Sequence, residues 1–339
     1  MQHKETTLDL ALLETLTQTF GPSGYEEAIR SAIGHVIADL ADETRVDALG
    51  SLIAFRKGTS DSTQKIMIAA HMDEIGLMVT HVEEKGFLRF TSIGGVRALA
   101  NLGGRARFAD GTTAPIYVER LEHAETPEIR HLYLDVGATS RETCPTGVGE
   151  TAVFVGPLVH QGSRLISKAL DDRIGCYILV EVLRRLTSSP NDLYFAFTTQ
   201  EEITLSGART SAFRINPDIA ISVDVTATGD TPKSLPMEVS LGKGPAIKVK
   251  DGGMIAHPRV RDMMVAAAER AGLPYQLEIL TGGTTDAAAM QLVQSGVPSG
   301  CLSVPCRYVH TTSEMVDVTD VEQGIDLLLE LLGRGLDRE

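Results

Sequence analysis

Positive charge is in short supply in this sequence. The chain's 31 lysines and arginines face 45 acids, a formal net charge of −14. That balance offers no electrostatic footprint for a phosphate backbone and argues against nucleic acid as a partner. Long apolar stretches are missing too. Residues 174–180, seven counting the glycine, fall far short of the ~20 needed to span a bilayer. The opening Met1-Gln-His-Lys-Glu-Thr-Thr does not read as a leader, so no membrane partner and a cytoplasmic location are expected. Cysteine is scarce. The four present, Cys144, Cys176, Cys301 and Cys306, form no CxxC. A thiolate zinc site or redox pair is therefore not indicated, and buried thiols in a reducing compartment are. Any metal must be held by histidine and carboxylates.

What remains is an ordinary globular composition, 43% apolar and 22% charged, in a chain long enough for two domains at ~150 residues each. Leu8, Leu10, Leu12, Leu13 and Leu16 form an apolar stripe that predicts an opening helix, which Phe20-Gly21-Pro22-Ser23-Gly24 ends. A second helix is expected over 25–40, and strands over 45–56 and 65–71. Between 75 and 162, short strands at 75–82, 87–93, 105–110, 114–118, 131–136 and 151–155 are separated by turn residues and predict a small β-rich, barrel-like unit. After 165 the pattern alternates. Helices are expected over 172–186, 257–271, 286–295 and 320–332, with strands over 193–199, 219–226, 275–280 and 300–305. Such alternation implies an α/β fold with a mostly parallel sheet. The expected organisation is one α/β domain from 1–74 and 163–339, interrupted by an inserted β domain over 75–162.

Five segments put a histidine or an acid where a strand runs out, the end at which open α/β sheets bind ligands. In His71-Met72-Asp73, alternate residues share a face, so Asp73 can orient the imidazole of His71. Asp171-Asp172 precedes a helix and reads either as a cap with a first-turn acid or as a carboxylate bridging two cations; Asp172 can cap while Asp171 binds. Glu201-Glu202 follows a buried strand, where two adjacent acids are costly unless something positive is near. A metal ligand beside a general base would account for them. Asp224 ends another strand, and His310 lies in a loop before the last helix. Two histidines and three carboxylates, with one aspartate counted twice, make two three-ligand sets. Nitrogen and oxygen donors without sulfur suit Zn²⁺, Co²⁺ or Mn²⁺.

These segments, taken in order with Phe20-Gly-Pro-Ser-Gly-Tyr-Glu-Glu, Gly282-Gly-Thr-Thr-Asp-Ala and Tyr308-Val-His, resemble the tetrahedral-assembly dinuclear metallo-aminopeptidases of metallopeptidase family forty-two, the glutamyl aminopeptidase or "endoglucanase M" type. The likeness runs the length of the chain. It implies a zinc-peptidase-like catalytic domain with two divalent metal ions per subunit, one held by His71, Asp171 and Asp224, the other by Asp171, Glu202 and His310. Glu201 would be the general base and acid, and Asp73 the partner of His71. Asp171–Asp172 would be a cis peptide. Gly282, Gly283, Thr284 and Asp286 would line the substrate side, and the β insertion would be a dimerisation domain whose dimers build a twelve-subunit tetrahedron. One departure stands out: after the glutamate pair the family usually has Val-Gly-x-Arg-Gly-Ala, whereas this chain has Ile203-Thr-Leu-Ser-Gly-Ala.

The expected activity is removal of N-terminal residues from short peptides. Other co-catalytic-metal amide hydrolases, deacylases or dipeptidases, share the ligand set and stay open on the residues alone. A glycoside hydrolase needs two carboxyl groups facing each other across a sugar, which consecutive glutamates do not provide. A non-enzymatic scaffold would be expected to lack a ligand, and none of the five is missing.

Overall fold

The computed structural model describes residues 7–61, 63–121 and 126–334. The expected polar opening at 1–6 and the final residues 335–339 of the expected catalytic segment lie outside them. A large sheet forms the main body. At its centre Asp192–Thr198, Lys65–His71, Ile219–Thr226 and Ser299–Arg307 run parallel to one another. These strands read as near-continuous apolar runs because helices cover both faces, and such runs are what buried parallel strands require. The flanks are antiparallel: the hairpin Glu43–Val46 with Leu52–Arg56 on one side, and Glu314–Asp317, Arg164–Ser167 and Val159–Gln161 on the other. The parallel character expected from the alternation belongs to the centre, and the sheet as a whole is mixed.

The expected strand over 45–56 is in fact that hairpin. Asp47 Oδ1 accepts the backbone N–H groups of Leu49 and Ser51 at 2.9 and 3.0 Å, and Gly50 takes a positive φ of 99°. An Asx turn followed by a glycine breaks the run, although Ala48 and Leu49 keep it apolar. The helix expected over 286–295 stops at Met290.

Helix Leu170–Arg185 packs between the sheet and helices Leu10–Gln18 and Val318–Gly333. It is buried on nearly every side, with Ile174, Ile178 and Val182 fully enclosed, and each such side chain contributes roughly 1.5–3 kcal/mol. A helix enclosed on nearly every side belongs in the middle of a layered core, and its buried Asp171, Asp172 and Arg173 gather at the entry end.

The chain leaves the sheet after His71 and forms a closed barrel from Gly76–Val82, Leu88–Ile93, Leu132–Leu134, Thr113–Val118, Arg105–Phe108 and Thr151–Phe154. The barrel has its own core, with Leu77, Val79, Leu88, Phe108, Ile116 and Leu134 all buried. Where barrel and sheet meet, Glu74 pairs with Lys168 Nζ at 2.6 Å and Arg173 at 3.4 Å, and all three are buried. Among the described residues no helix is long and apolar enough to cross a membrane.

Candidate metal centre and cleft

The parallel strands deliver their side chains to one end of the sheet. His71 closes Lys65–His71, Asp224 lies near the end of Ile219–Thr226, and Glu201 and Glu202 open the short turn after Asp192–Thr198. Asp171 sits at the entry to helix Leu170–Arg185, where it and Asp172 have non-helical backbone angles and the peptide between them is cis.

These residues converge. His71 Nε2 lies 3.1 Å from Asp171 Oδ1, 3.8 Å from Glu201 Oε2 and 4.0 Å from Asp224 Oδ1. His310 Nε2 lies 3.3 Å from Asp171 Oδ2 and 3.2 Å from Glu202 Oε2. The two carboxylate oxygens of Asp171 thus face different histidines. Each group of three, His71–Asp171–Asp224 and Asp171–Glu202–His310, brings its donor atoms within 4.8 Å of one another.

Both imidazoles are turned the same way. His71 Nδ1 faces the Asp73 carbonyl at 3.2 Å and its carboxylate at 3.5 Å; His310 Nδ1 faces the Gly95 carbonyl at 3.1 Å. A proton held on Nδ1 by those acceptors leaves each Nε2 lone pair directed inward, the arrangement that ligating histidines use. Asp73 does more than orient His71. Its carboxylate also accepts the backbone N–H groups of Glu201 and Glu202 at 3.0 and 3.2 Å and the Ser23 hydroxyl at 2.6 Å. Asp172 accepts from the backbone of Gly175 at 3.0 Å and of His71 at 3.3 Å, so it caps the helix and fixes the strand end together.

Electrostatically the cluster is overcrowded with acid. Burial pushes Asp224, Glu201 and Glu202 up, and neighbouring negative charges add to it for all three. Burial opposes the charged form of His71, yet Glu201 and its bonds to Asp171 and Asp73 hold it well above the usual histidine range. His310 is likewise pushed up to about 12, burial being outweighed by Asp171 and Glu202. Glu202 Oε1 is buried without a hydrogen-bond partner. Crowded carboxylates, inward imidazole nitrogens and an orphaned buried oxygen fit divalent cations held by nitrogen and oxygen donors.

Around this cluster opens a cleft of about 530 Å³. Gly283 and Thr284 line it, whereas Gly282 does not. Asp286 lies beneath, buried, with Thr198 Oγ donating to one carboxylate oxygen and the other unpartnered; burial pushes it up to about 7. Ser206, where the arginine usually stands, is also off the cleft and shares a hydrogen bond with Thr204, which lines it.

Three contributors escaped the sequence reading. Glu314 is buried and accepts the backbone N–H of Asp171 at 2.9 Å and of His310 at 2.8 Å; its place four residues after His310 was the available signal. Gly95 comes from the barrel, and a Cβ there would fall 2.5 Å from His310 Nδ1. Lys248, on strand Ala246–Lys250, reaches the cleft wall fully buried, bonded to Glu278.

The sequence profile of the M42 glutamyl aminopeptidase family matches residues 50–327. A relative from Acetivibrio thermocellus is 48% identical over 324 residues, covering 95% of this chain and 97% of its own. The lysyl aminopeptidase of Pyrococcus furiosus is 35% identical, with 96% and 97% covered. Among solved structures, the Pyrococcus horikoshii TET1 peptidase, which can assemble into a tetrahedron or a large octahedral shell, superimposes with a TM-score of 0.85 at 32% identity, covering 95% of this chain and 98% of that one.

Proposed function

Since this chain belongs to the M42 glutamyl aminopeptidase family and is an aminopeptidase, we propose that it removes N-terminal residues from short peptides with two divalent cations per subunit, zinc or cobalt with manganese as a third choice. The observation that carries the reading is Asp171, whose two oxygens face two separate histidine–carboxylate sets. His71, Asp171 and Asp224 would hold one cation; Asp171, Glu202 and His310 the other. When bound, the pair would polarise the scissile carbonyl and make a water acidic enough to be deprotonated near neutral pH.

The chain's own groups do the rest. Glu201 Oε2, 3.8 Å from His71 Nε2, takes the proton of the attacking water and returns it to the leaving amine. Asp73 holds Glu201 through its backbone N–H and His71 through Nδ1, so the base and one ligand are registered by a single carboxylate. The free amine of the substrate is received at the acidic cluster, which confines cleavage to chain ends.

Support for self-assembly comes from the TET1 peptidase and from apolar side chains left on the barrel, with Leu99 61%, Tyr117 58% and Val148 67% exposed. The proposed boundaries are 1–74 with 163–339 for catalysis and 75–162 for dimerisation, the dimers building a dodecamer measurable by analytical ultracentrifugation. A cytoplasmic setting is supported by four unpaired cysteines. The reaction is tested with Glu201→Gln. Metal content by mass spectrometry should stay at two per chain while hydrolysis of aminoacyl anilides falls about 10²–10⁴-fold; wild-type turnover would sink the assignment. N-acyl amino acids, dipeptides and soluble cellulose run in parallel separate the neighbouring amide-hydrolase and glycosidase chemistries.

A further inference from the structure

We propose that the cleft selects peptides whose first residue carries an uncharged, apolar side chain of leucine or methionine size. The inference rests on the aminopeptidase reading above, which puts the terminal amine and the scissile carbonyl at the carboxylate–imidazole cluster. The first side chain must then lie against the rest of the cleft wall.

That wall is neutral. Ile203 and Leu205 come from the turn after Glu202, Val225 from the strand end at Asp224, Leu280 from the loop after strand Gln276–Ile279, and Val309 from the turn before His310. The other residues outside the metal centre are threonines, glycines and one alanine, with a single exception, Lys248. The cavity, about 530 Å³, lies within the range of small-ligand sites and admits a branched or unbranched apolar side chain.

Lys248 cannot serve a glutamyl side chain. It is fully buried, its ammonium is bonded to Glu278, and Asp251 Oδ2 lies 4.0 Å away. Glu278 Oε2 and Asp251 Oδ2 both lack a hydrogen-bond partner, so one cation already answers to two buried acids. A third carboxylate would enter a site with negative charge to spare and lose its hydration without a partner. A lysyl side chain fares no better. Glu278 and Asp251 are buried behind the wall and do not line the cleft, and the acids that do are the three carboxylate ligands of the proposed cations and the base Glu201, all engaged at the reacting end. Apolar side chains lose nothing on entry and gain contact with the five aliphatic residues.

The test uses full-length, metal-loaded enzyme and a panel of para-nitroanilides of Leu, Met, Ala, Glu and Lys. We expect kcat/KM for Leu and Met to exceed that for Ala, Glu and Lys by about tenfold or more, and calorimetry to detect binding of free L-leucine more tightly than L-glutamate or L-lysine. Leu280→Arg should raise the Glu-to-Leu ratio of kcat/KM by about tenfold, a change of preference that partial misfolding does not produce. Glu or Lys leading the wild-type panel overturns the inference alone. No cleavage of any anilide defeats the aminopeptidase reading and this inference with it.

Discussion

Gly95 offers the sharpest test of how the barrel takes part in the proposed metal centre. The residue has two relations to His310: its carbonyl faces Nδ1 at 3.1 Å, and its missing side chain leaves room for the ring. A Cβ built there would stand 2.5 Å from Nδ1 and 2.7 Å from Cε1, where ordinary contact begins at 3.4 Å. Gly95→Ala must therefore drive the imidazole back by about 0.9 Å. Its backbone is not in the left-handed region, so the substitution acts through this clash rather than through the main chain. Nε2 is held between Asp171 and Glu202 at 3.3 and 3.2 Å, and metal–ligand distances tolerate only about ±0.2 Å. The Asp171–Glu202–His310 set should lose its cation, with affinity down about 10–100-fold, while His71, anchored by Asp73 on the sheet side, keeps the other. After dialysis against a fixed low metal concentration, elemental analysis should find one ion per chain in the variant against two in wild type, with kcat down about 100-fold. Two retained ions and unchanged kcat would refute the steric argument and detach the barrel from the site.

Other perturbations follow from the same geometry. In the metal-free protein His310 is pushed up from 6.5 to about 12, so its pairing stabilises that form fully below the unfolded pKa and is lost as pH rises through about 12. The proton must leave when a cation binds, so affinity should rise up to about tenfold per pH unit for each proton released; calorimetry in buffers of different ionisation enthalpy counts the protons, and pH-independent affinity across neutrality contradicts the account. Glu314→Gln leaves one acceptor oxygen for two buried N–H donors, those of Asp171 and His310. It should cost about 1–3 kcal/mol in urea unfolding and weaken metal binding; an unchanged midpoint would mean water or a neighbour takes over. Glu74→Ala leaves Lys168 a buried cation without its carboxylate and takes the counter-charge from Arg173, which keeps the carbonyls of Leu16, Thr19 and Gly21; it should cost about 3–5 kcal/mol, measured the same way, with Glu74→Gln milder.

What could be read from the sequence was local. His71 and Asp73 stand two residues apart at a strand end, Glu201 and Glu202 are consecutive, and the central strands are apolar runs closed by a polar residue. Such short-range patterns announce both the parallel strands and the side chains at their ends. Elements lacking that contrast were missed. Helix Ser206–Ile215 buries Gly207, Ala208, Ser211 and Ala212, small residues that leave no apolar stripe, and at Gly207 a Cβ would fall 2.4 Å from the backbone of Thr199. Strand Ala246–Lys250 carries a lysine at a buried position, a polarity that disguises a core strand because its partners, Glu278 and Asp251, lie elsewhere in the sequence.

The same limit divides the site. The side chains proposed to face the cations belong to short motifs, but those motifs are held by residues that only the fold brings near: Gly95 from the barrel, Glu314 bridging two loops through backbone N–H groups, and Asp73 reaching from just past its strand to the Glu201–Glu202 turn. A glycine that must lack a side chain, and a glutamate whose work is to accept two amides, look in one sequence like any other glycine and glutamate. Their function is set by what stands opposite them, and the ligand chemistry depends on them as much as on the donors themselves.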